Sequence, residues 1–185
     1  MVLVNTPAGE IGSNAIDFDL PGADGKRWSL AECRGERATL IMFICNHCPY
    51  VKAIQARLVR DTGELLEHGV RSVAIMPNDT RAYPEDSLAN MKAVAERLSY
   101  PFPYLYDETQ ETAKAYGAVC TPDFFGYNAD LKLQFRGRLD ATTPSHPAPE
   151  DAPRELFDAM CQIAETGVGP AKQINSMGCS IKWRD

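Results

Sequence analysis

The chain has 185 residues, 44% hydrophobic and 24% charged, with a formal net charge of −6 from 25 acidic and 19 basic residues. That composition suits a folded globular chain, and the acidic balance without a concentrated Lys/Arg cluster argues against a nucleic-acid partner, because phosphate binding needs a positive footprint. No apolar run approaches the roughly 20 residues that span a bilayer, and the N-terminus, MVLVNTPAGEIGSNA, has neither a basic n-region nor an apolar h-region, so no membrane partner is expected and, with Met1 as the native start, the expected location is cytoplasmic.

In chain order, Ile16–Leu20 and Lys26–Leu30 flank the turn-rich PGADG and read as an N-terminal β-hairpin. Ala38–Cys45, ATLIMFIC, is apolar on both faces, as a central parallel strand should be. After Pro49 the apolar spacing becomes helical through Val51, Ile54, Leu58 and Leu65, and Gly69 closes that helix. Val70–Met76 is a second buried strand. Leu88, Met91, Val94/Ala95 and Leu98 stripe a second helix. Asp107 with Gln110 has the spacing of a capping box for a short third helix that Gly117 stops.

Asp123–Tyr127 and Leu131–Arg136 read as strands joined by Asn128-Ala129-Asp130. In the second, Leu131, Leu133 and Phe135 alternate with Lys132, Gln134 and Arg136, which predicts one wet face. Pro153 opens a last helix carrying Leu156, Met160 and Ile163, and 167–185 has no regular period and reads as a loop-like tail packed on the body. Strands alternating with helices imply an α/β fold, a mixed central sheet flanked by helices with an antiparallel edge. The length suits one domain over residues 1–185, with an N-terminal extension to about residue 37 and a tail from about 167.

Six cysteines stand at 33, 45, 48, 120, 161 and 179. A chain with a sizeable core needs no disulfide framework, so Cys45-Asn46-His47-Cys48 reads as redox chemistry. It lies where a buried strand gives way to a helix. A helix N-terminus offers unpaired N–H groups and partial positive charge, both of which favour a thiolate. His47, when protonated, adds to that, which favours the reduced form and makes the disulfide a stronger oxidant of its partners. Asn46 is a candidate helix cap. Cys45 is expected to be the more exposed sulfur, attacking first, with Cys48 resolving the mixed disulfide. A zinc site needs about four ligands. Cys45, Cys48, His47 and Cys120 offer donors but no second paired motif exists, so no metal is expected. With no P-loop and no G-x-G-x-x-G, no cofactor is expected either.

FICNHCPYVKA, NDTRAYPEDS, YPFPYLYDETQETAKAYGAVCTPDFF and GCSIKW together resemble the thioredoxin-like, peroxiredoxin-like branch of the AhpC/TSA redoxin superfamily, over roughly Ile16 to Trp183. The resemblance implies a thioredoxin fold with an N-terminal β-hairpin extension. It also implies that Thr121-Pro122 is the cis-proline segment beside the active thiols, with Thr121 and Pro122 binding the substrate. Departures matter. Ile44 stands where thioredoxins carry Trp, and Pro49 follows the second cysteine. Aligned on Cys-Pro, the peroxidatic position is Cys48, and Cys45 occupies the usual Thr position. No Arg near Cys120–Phe124 matches the peroxidatic one, and Arg136 and Arg138 lie too far along.

Cys120 and Cys179 are candidate accessory thiols, Cys179 as a resolving thiol should the tail fold over the site. Cys33, in a polar connector, and Cys161, on the last helix, read as structural. His68 and His146 read as solvated. The expected function is a thiol–disulfide oxidoreductase. A peroxiredoxin-like thiol peroxidase and a non-enzymatic redox sensor are the alternatives. The expected partners are protein or small-molecule thiols and disulfides, or peroxides, with the chain a monomer or homodimer.

Overall fold

The computed structural model describes residues 2–184. Its centre is a five-stranded sheet ordered β6-β5-β4-β8-β9, built from β4 (Ala38–Phe43), β5 (Val70–Met76), β6 (Tyr104–Tyr106), β8 (Asp123–Asn128) and β9 (Leu133–Gly137). The β4–β5 and β5–β6 pairs are parallel; β4–β8 and β8–β9 are antiparallel. This is the expected mixed sheet. Every residue of β4 is buried, because the strand is covered on both faces. Leu40, Met42 and Ile44 enter one core with Val51, Ile54 and Leu58 of α2 (Pro49–Leu65) and with Leu156, Met160 and Ile163 of α5 (Glu155–Thr166). Met91 of α3 (Leu88–Leu98) joins that core. Ile41 and Phe43 enter the opposite core with Leu30 and Cys33 of α1 (Leu30–Cys33) and Ala113 of α4 (Glu111–Ala115). Fully burying one such aliphatic side chain contributes roughly 1.5–3 kcal/mol, so the double-sided burial of β4 anchors the strand whose end carries Cys45.

The hairpin is present and shorter than expected: β2 (Asp19–Pro21) pairs with β3 (Arg27–Ser29). Leu30 and Cys33 are not strand and connector. They begin and end α1, where Ser29 caps the helix and Glu32 returns a bond to the Ser29 N–H. That is a true S-x-x-E capping box. The one expected at Asp107 and Gln110 does not form. Gln110 sits at the N-cap with φ +64 and no side-chain cap bond, while Asp107 accepts from the Ala113 N–H at 2.8 Å. Gly69 ends the α2 segment with φ +73, the left-handed conformation that glycine adopts without strain. Strand β6 has no counterpart in the sequence reading; at three residues it is too short to show a period.

Two expectations fail for a shared reason, long-range pairing. Arg136 is not on a wet face: it is 6% exposed and forms an ion pair with Asp123 at 2.8 Å while also donating to the Gly117 carbonyl. The tail is not merely loop-like either. Met177–Ser180 is a strand, β10, lying between β1 (Leu3–Asn5) and β7 (Cys120–Thr121) in a separate antiparallel sheet. Beyond it, Lys182 is held by the Asn78 side chain, the Asp79 N–H and the Gln110 side chain. Gln110 thus serves the tail rather than a helix cap.

Candidate active site

Strand β4 ends at Phe43 and α2 starts at Pro49, which leaves Cys45–Cys48 as the turn between them. Cys48 is the N-cap of α2 and Pro49 its first residue, a position that loses no hydrogen bond because the first N–H groups of a helix are unpaired. Asn46 does not cap the helix. Its amide donates to the Glu85 carbonyl and its Oδ1 accepts from the Tyr104 hydroxyl, so it ties the turn to neighbouring elements.

Thr121-Pro122 is a cis peptide and stands against the pair, as the resemblance implied. Thr121 Oγ1 lies 3.3 Å from Cys45 Sγ, and the Thr121 carbonyl lies 3.1 Å from Cys48 Sγ. Pairing of β10 with β7 sets Cys179 opposite Thr121. Cys179 Sγ comes within 2.9 Å of Cys48 Sγ. Three of the six thiols therefore meet at one point, with no disulfide among the described cysteines. Cys120, adjacent on β7, is buried and directs its thiol to the Pro122 carbonyl at 3.7 Å, away from the cluster's contacts. Cys33 is buried in the opposite core, and Cys161 is half-buried on α5. His146 is exposed, while His68 is half-buried and packs edge-on to Phe157.

The expectation of an exposed Cys45 is not met: Cys45 is 1% exposed and Cys48 0%. Their surroundings nevertheless separate them. Burial pushes the Cys45 thiol well up, and its bond to Cys48 and the nearby Asp86 carboxylate push the same way. Cys48 is held down to about 5, chiefly by the hydrogen bond from Cys45 against the opposing effect of burial, and further by Cys179 and by the Val51 and Cys179 N–H groups. The Thr121 carbonyl favours a protonated Cys48, but four donors outweigh one carbonyl. The donors around Cys48 favour its thiolate, while burial favours the protonated form of Cys45 and Cys179. Burial and the bond to Cys48 push Cys179 up to about 12.

This charge placement has a direct test. Alkylation of Cys48 by iodoacetamide in the reduced protein is expected to reach half its plateau near pH 5, since only the thiolate reacts. Fragment-ion mass spectrometry across a pH series reads it. A rate still climbing at pH 8 would make Cys48 an ordinary thiol.

A second group, missed in the sequence, is Asp86. It is fully buried and accepts from the Asn46 N–H at 2.8 Å, the His47 N–H at 3.2 Å, Asn78 Nδ2 at 2.8 Å and His47 Nδ1 at 2.6 Å. Burial alone would raise this carboxyl; the bonds from His47 and Asn78 hold it below the usual range. In return the bond to Asp86 raises His47 above its ordinary value, against burial. His47 stacks on Tyr83 with centroids 5.1 Å apart, and its Nδ1 is 3.9 Å from Cys45 Sγ. Cys45, His47 and Asp86 place a sulfur, a nitrogen and a carboxylate within 4.8 Å of one another. Those are metal-ligand types, but the carboxylate already accepts four hydrogen bonds and a tetrahedral site asks for a fourth ligand. The arrangement suits proton handling beside Cys45 better. The Asp86 signal lies in NDTRAYPEDS, whose chemistry shows only once the chain folds. A groove of about 880 Å³ opens beside Asn46 and His47, lined also by Lys52, Gln55, Glu85 and Arg97.

Comparison with known proteins finds the fold and the family. An uncharacterized conserved protein from Geobacillus kaustophilus superposes with a TM-score of 0.94 and 48% identity, over 100% of this chain and 97% of that one. A hypothetical protein from Sinorhizobium meliloti gives 0.91 and 37%, over 97% of this chain and 98% of that one. A peroxidoxin from Mycobacterium tuberculosis gives 0.57 and 18%, over 83% of this chain and 92% of that one, a likeness of thioredoxin-like fold alone. No curated protein matches the chain. The AhpC/TSA family model matches residues 11–136, more than half of the sequence, from before the hairpin into β9; the chain belongs to the AhpC/TSA family.

Proposed function

We propose that the protein is a thiol–disulfide oxidoreductase whose working pair is Cys45 and Cys48. The observation that carries the reading is a thiolate-stabilising position, Cys48 at the N-cap of α2, in contact with a second thiol and with the cis-proline segment. Cys48 attacks first: exposure no longer favours Cys45, and charge favours Cys48. Its thiolate attacks one sulfur of a partner disulfide, forms a mixed disulfide and releases the partner's other sulfur as thiolate. Cys45 then loses its proton toward the His47–Asp86 pair and attacks Cys48 Sγ. The Cys45–Cys48 bond forms, the mixed disulfide breaks, and two electrons have passed to the partner. The same steps in reverse oxidise a dithiol. Because both sulfurs are buried, a partner reaches them only when neighbouring residues move aside. Thr121 and Pro122 are the substrate-contacting residues of this reading.

A thiol peroxidase is the second reading, favoured by the same Cys48 thiolate. Arg136 does not serve it as the peroxide-binding arginine, since its guanidinium is committed to Asp123 and the Gly117 carbonyl. Insulin reduction by dithiothreitol separates the two. Acceleration of at least tenfold over dithiothreitol alone supports the oxidoreductase. No acceleration, with stopped-flow peroxide oxidation far faster than that of cysteine, would replace it with the peroxidase.

A further inference from the structure

We propose that Cys179 is a third redox thiol of the site, so that one disulfide moves between Cys45–Cys48 and Cys48–Cys179. This rests on the oxidoreductase reading and deepens it. Cys48 Sγ is common to both contacts. Cys179 Sγ lies 2.9 Å from it, and Cys45 hydrogen-bonds it from its own turn. A sulfur–sulfur bond is about 2.05 Å long, so the Cys48–Cys179 contact closes by a shift of under an ångström.

The approach of Cys179 is built in by backbone pairing and by a glycine. Strand β10 runs antiparallel to β7 with Cys179 opposite Thr121 and Ser180 opposite Cys120. A side chain at Gly178 would press on the Thr121 carbonyl and on the Pro122 ring. Only glycine lets the strand come this close. On the far side β1 pairs with β10, the Thr6 N–H donates to the Ser176 carbonyl, and Ser176 Oγ donates to the Pro122 carbonyl at 2.6 Å. The strand therefore presents a cysteine to Cys48 as an extended thiol peptide would, tethered in the same chain.

The exchange balances without an outside reagent. Once a partner has oxidised the Cys45–Cys48 pair, Cys179 gives up its proton and its sulfur attacks Cys48 Sγ. The Cys48–Cys179 bond forms and the Cys45–Cys48 bond breaks. Cys45 leaves with the electron pair and takes a proton, with His47 Nδ1, 3.9 Å away, as the relay. One thiol and one disulfide are present before and after. The shift fastens β10 to the start of α2 and returns Cys45 as a thiol.

Tryptic mapping of the diamide-oxidised full chain tests this. Cys45 and Cys48 fall in one tryptic peptide, residues 38–52, and Cys179 in another, residues 173–182. The native protein is expected to give both the internal disulfide and the cross-linked pair of peptides. Cys45→Ser is expected to give the cross-link alone, and Cys179→Ser the internal disulfide alone. Gly178→Ala, which lifts the strand, is expected to cut the cross-link at least fivefold while retaining the internal disulfide. Absence of the cross-link from both the native protein and folded Cys45→Ser, checked by circular dichroism, overturns the proposal. Bond mapping needs no turnover, so a protein that forms the cross-link yet fails in insulin reduction would refute the oxidoreductase reading while leaving the thiol exchange standing.

Discussion

Cys48→Ser is expected to lower disulfide exchange by about 10³-fold or more, the scale seen when the nucleophile of a catalytic unit is removed. Cys48 is the one sulfur in contact with both Cys45 and Cys179, and it carries the charge. A serine hydroxyl stays protonated there and attacks no disulfide. Cys45→Ser is expected to do less harm, because Cys179 stands ready to resolve the mixed disulfide in its place. The substitution should not unfold the protein. Serine is among the preferred N-cap residues and can accept from the Val51 N–H that Cys48 takes, so the melting temperature is expected to hold. Insulin reduction and thermal melting of the same preparations read both effects. Activity within tenfold of the native protein would move the nucleophile to Cys45.

Arg136→Met is expected to destabilise the protein by about 3–5 kcal/mol at pH 7.5, the range for removing one partner of a buried ion pair. Arg136 is 6% exposed and Asp123 0%. Burial raises the Asp123 carboxyl to about 6 even with the guanidinium beside it. Its folded value thus lies above the 3.8 of an unperturbed carboxyl, and the folded state disfavours its charge. Removing the guanidinium raises the folded value further, which adds to that penalty only where Asp123 is ionised in the native fold, above about 6. The loss is therefore largest at neutral pH and shrinks as pH falls through about 6, below which Asp123 is protonated in both folded proteins and no ion pair is left to lose. Urea unfolding at pH 7.5 and pH 5 measures the trend. Pairing the change with Asp123→Val is expected to restore part of the loss, since no unpaired charge then remains. Equal destabilisation at both pH values would mean that Arg136 acts by packing on Phe125, whose ring centroid lies 4.5 Å away.

Much of this was legible along the chain. The apolar runs 38–45 and 70–76, the helical stripes after Pro49 and from Leu88, and the placement of C-N-H-C between strand and helix all depend on local periodicity, and the structure places them within a few residues. The long segments from FICNHCPYVKA to GCSIKW carried the family because they span many positions. Local pattern misled where a partner far along the chain decided the outcome. Arg136 alternates like a wet-face residue, yet its burial is set by Asp123, thirteen positions back. Asn46 has the chemistry of a cap, but Glu85 and Tyr104 claim its side chain.

Sequence alone determined the α/β order, the C-N-H-C turn and the helix that follows it, since backbone propensity and apolar spacing act over a few residues. Only the tertiary structure decided which donors surround each sulfur, that Asp86 stands behind His47, and that Cys179 reaches Cys48 across 131 positions. Those properties come from burial and from donors supplied by distant strands, and neither is written in any local stretch of residues.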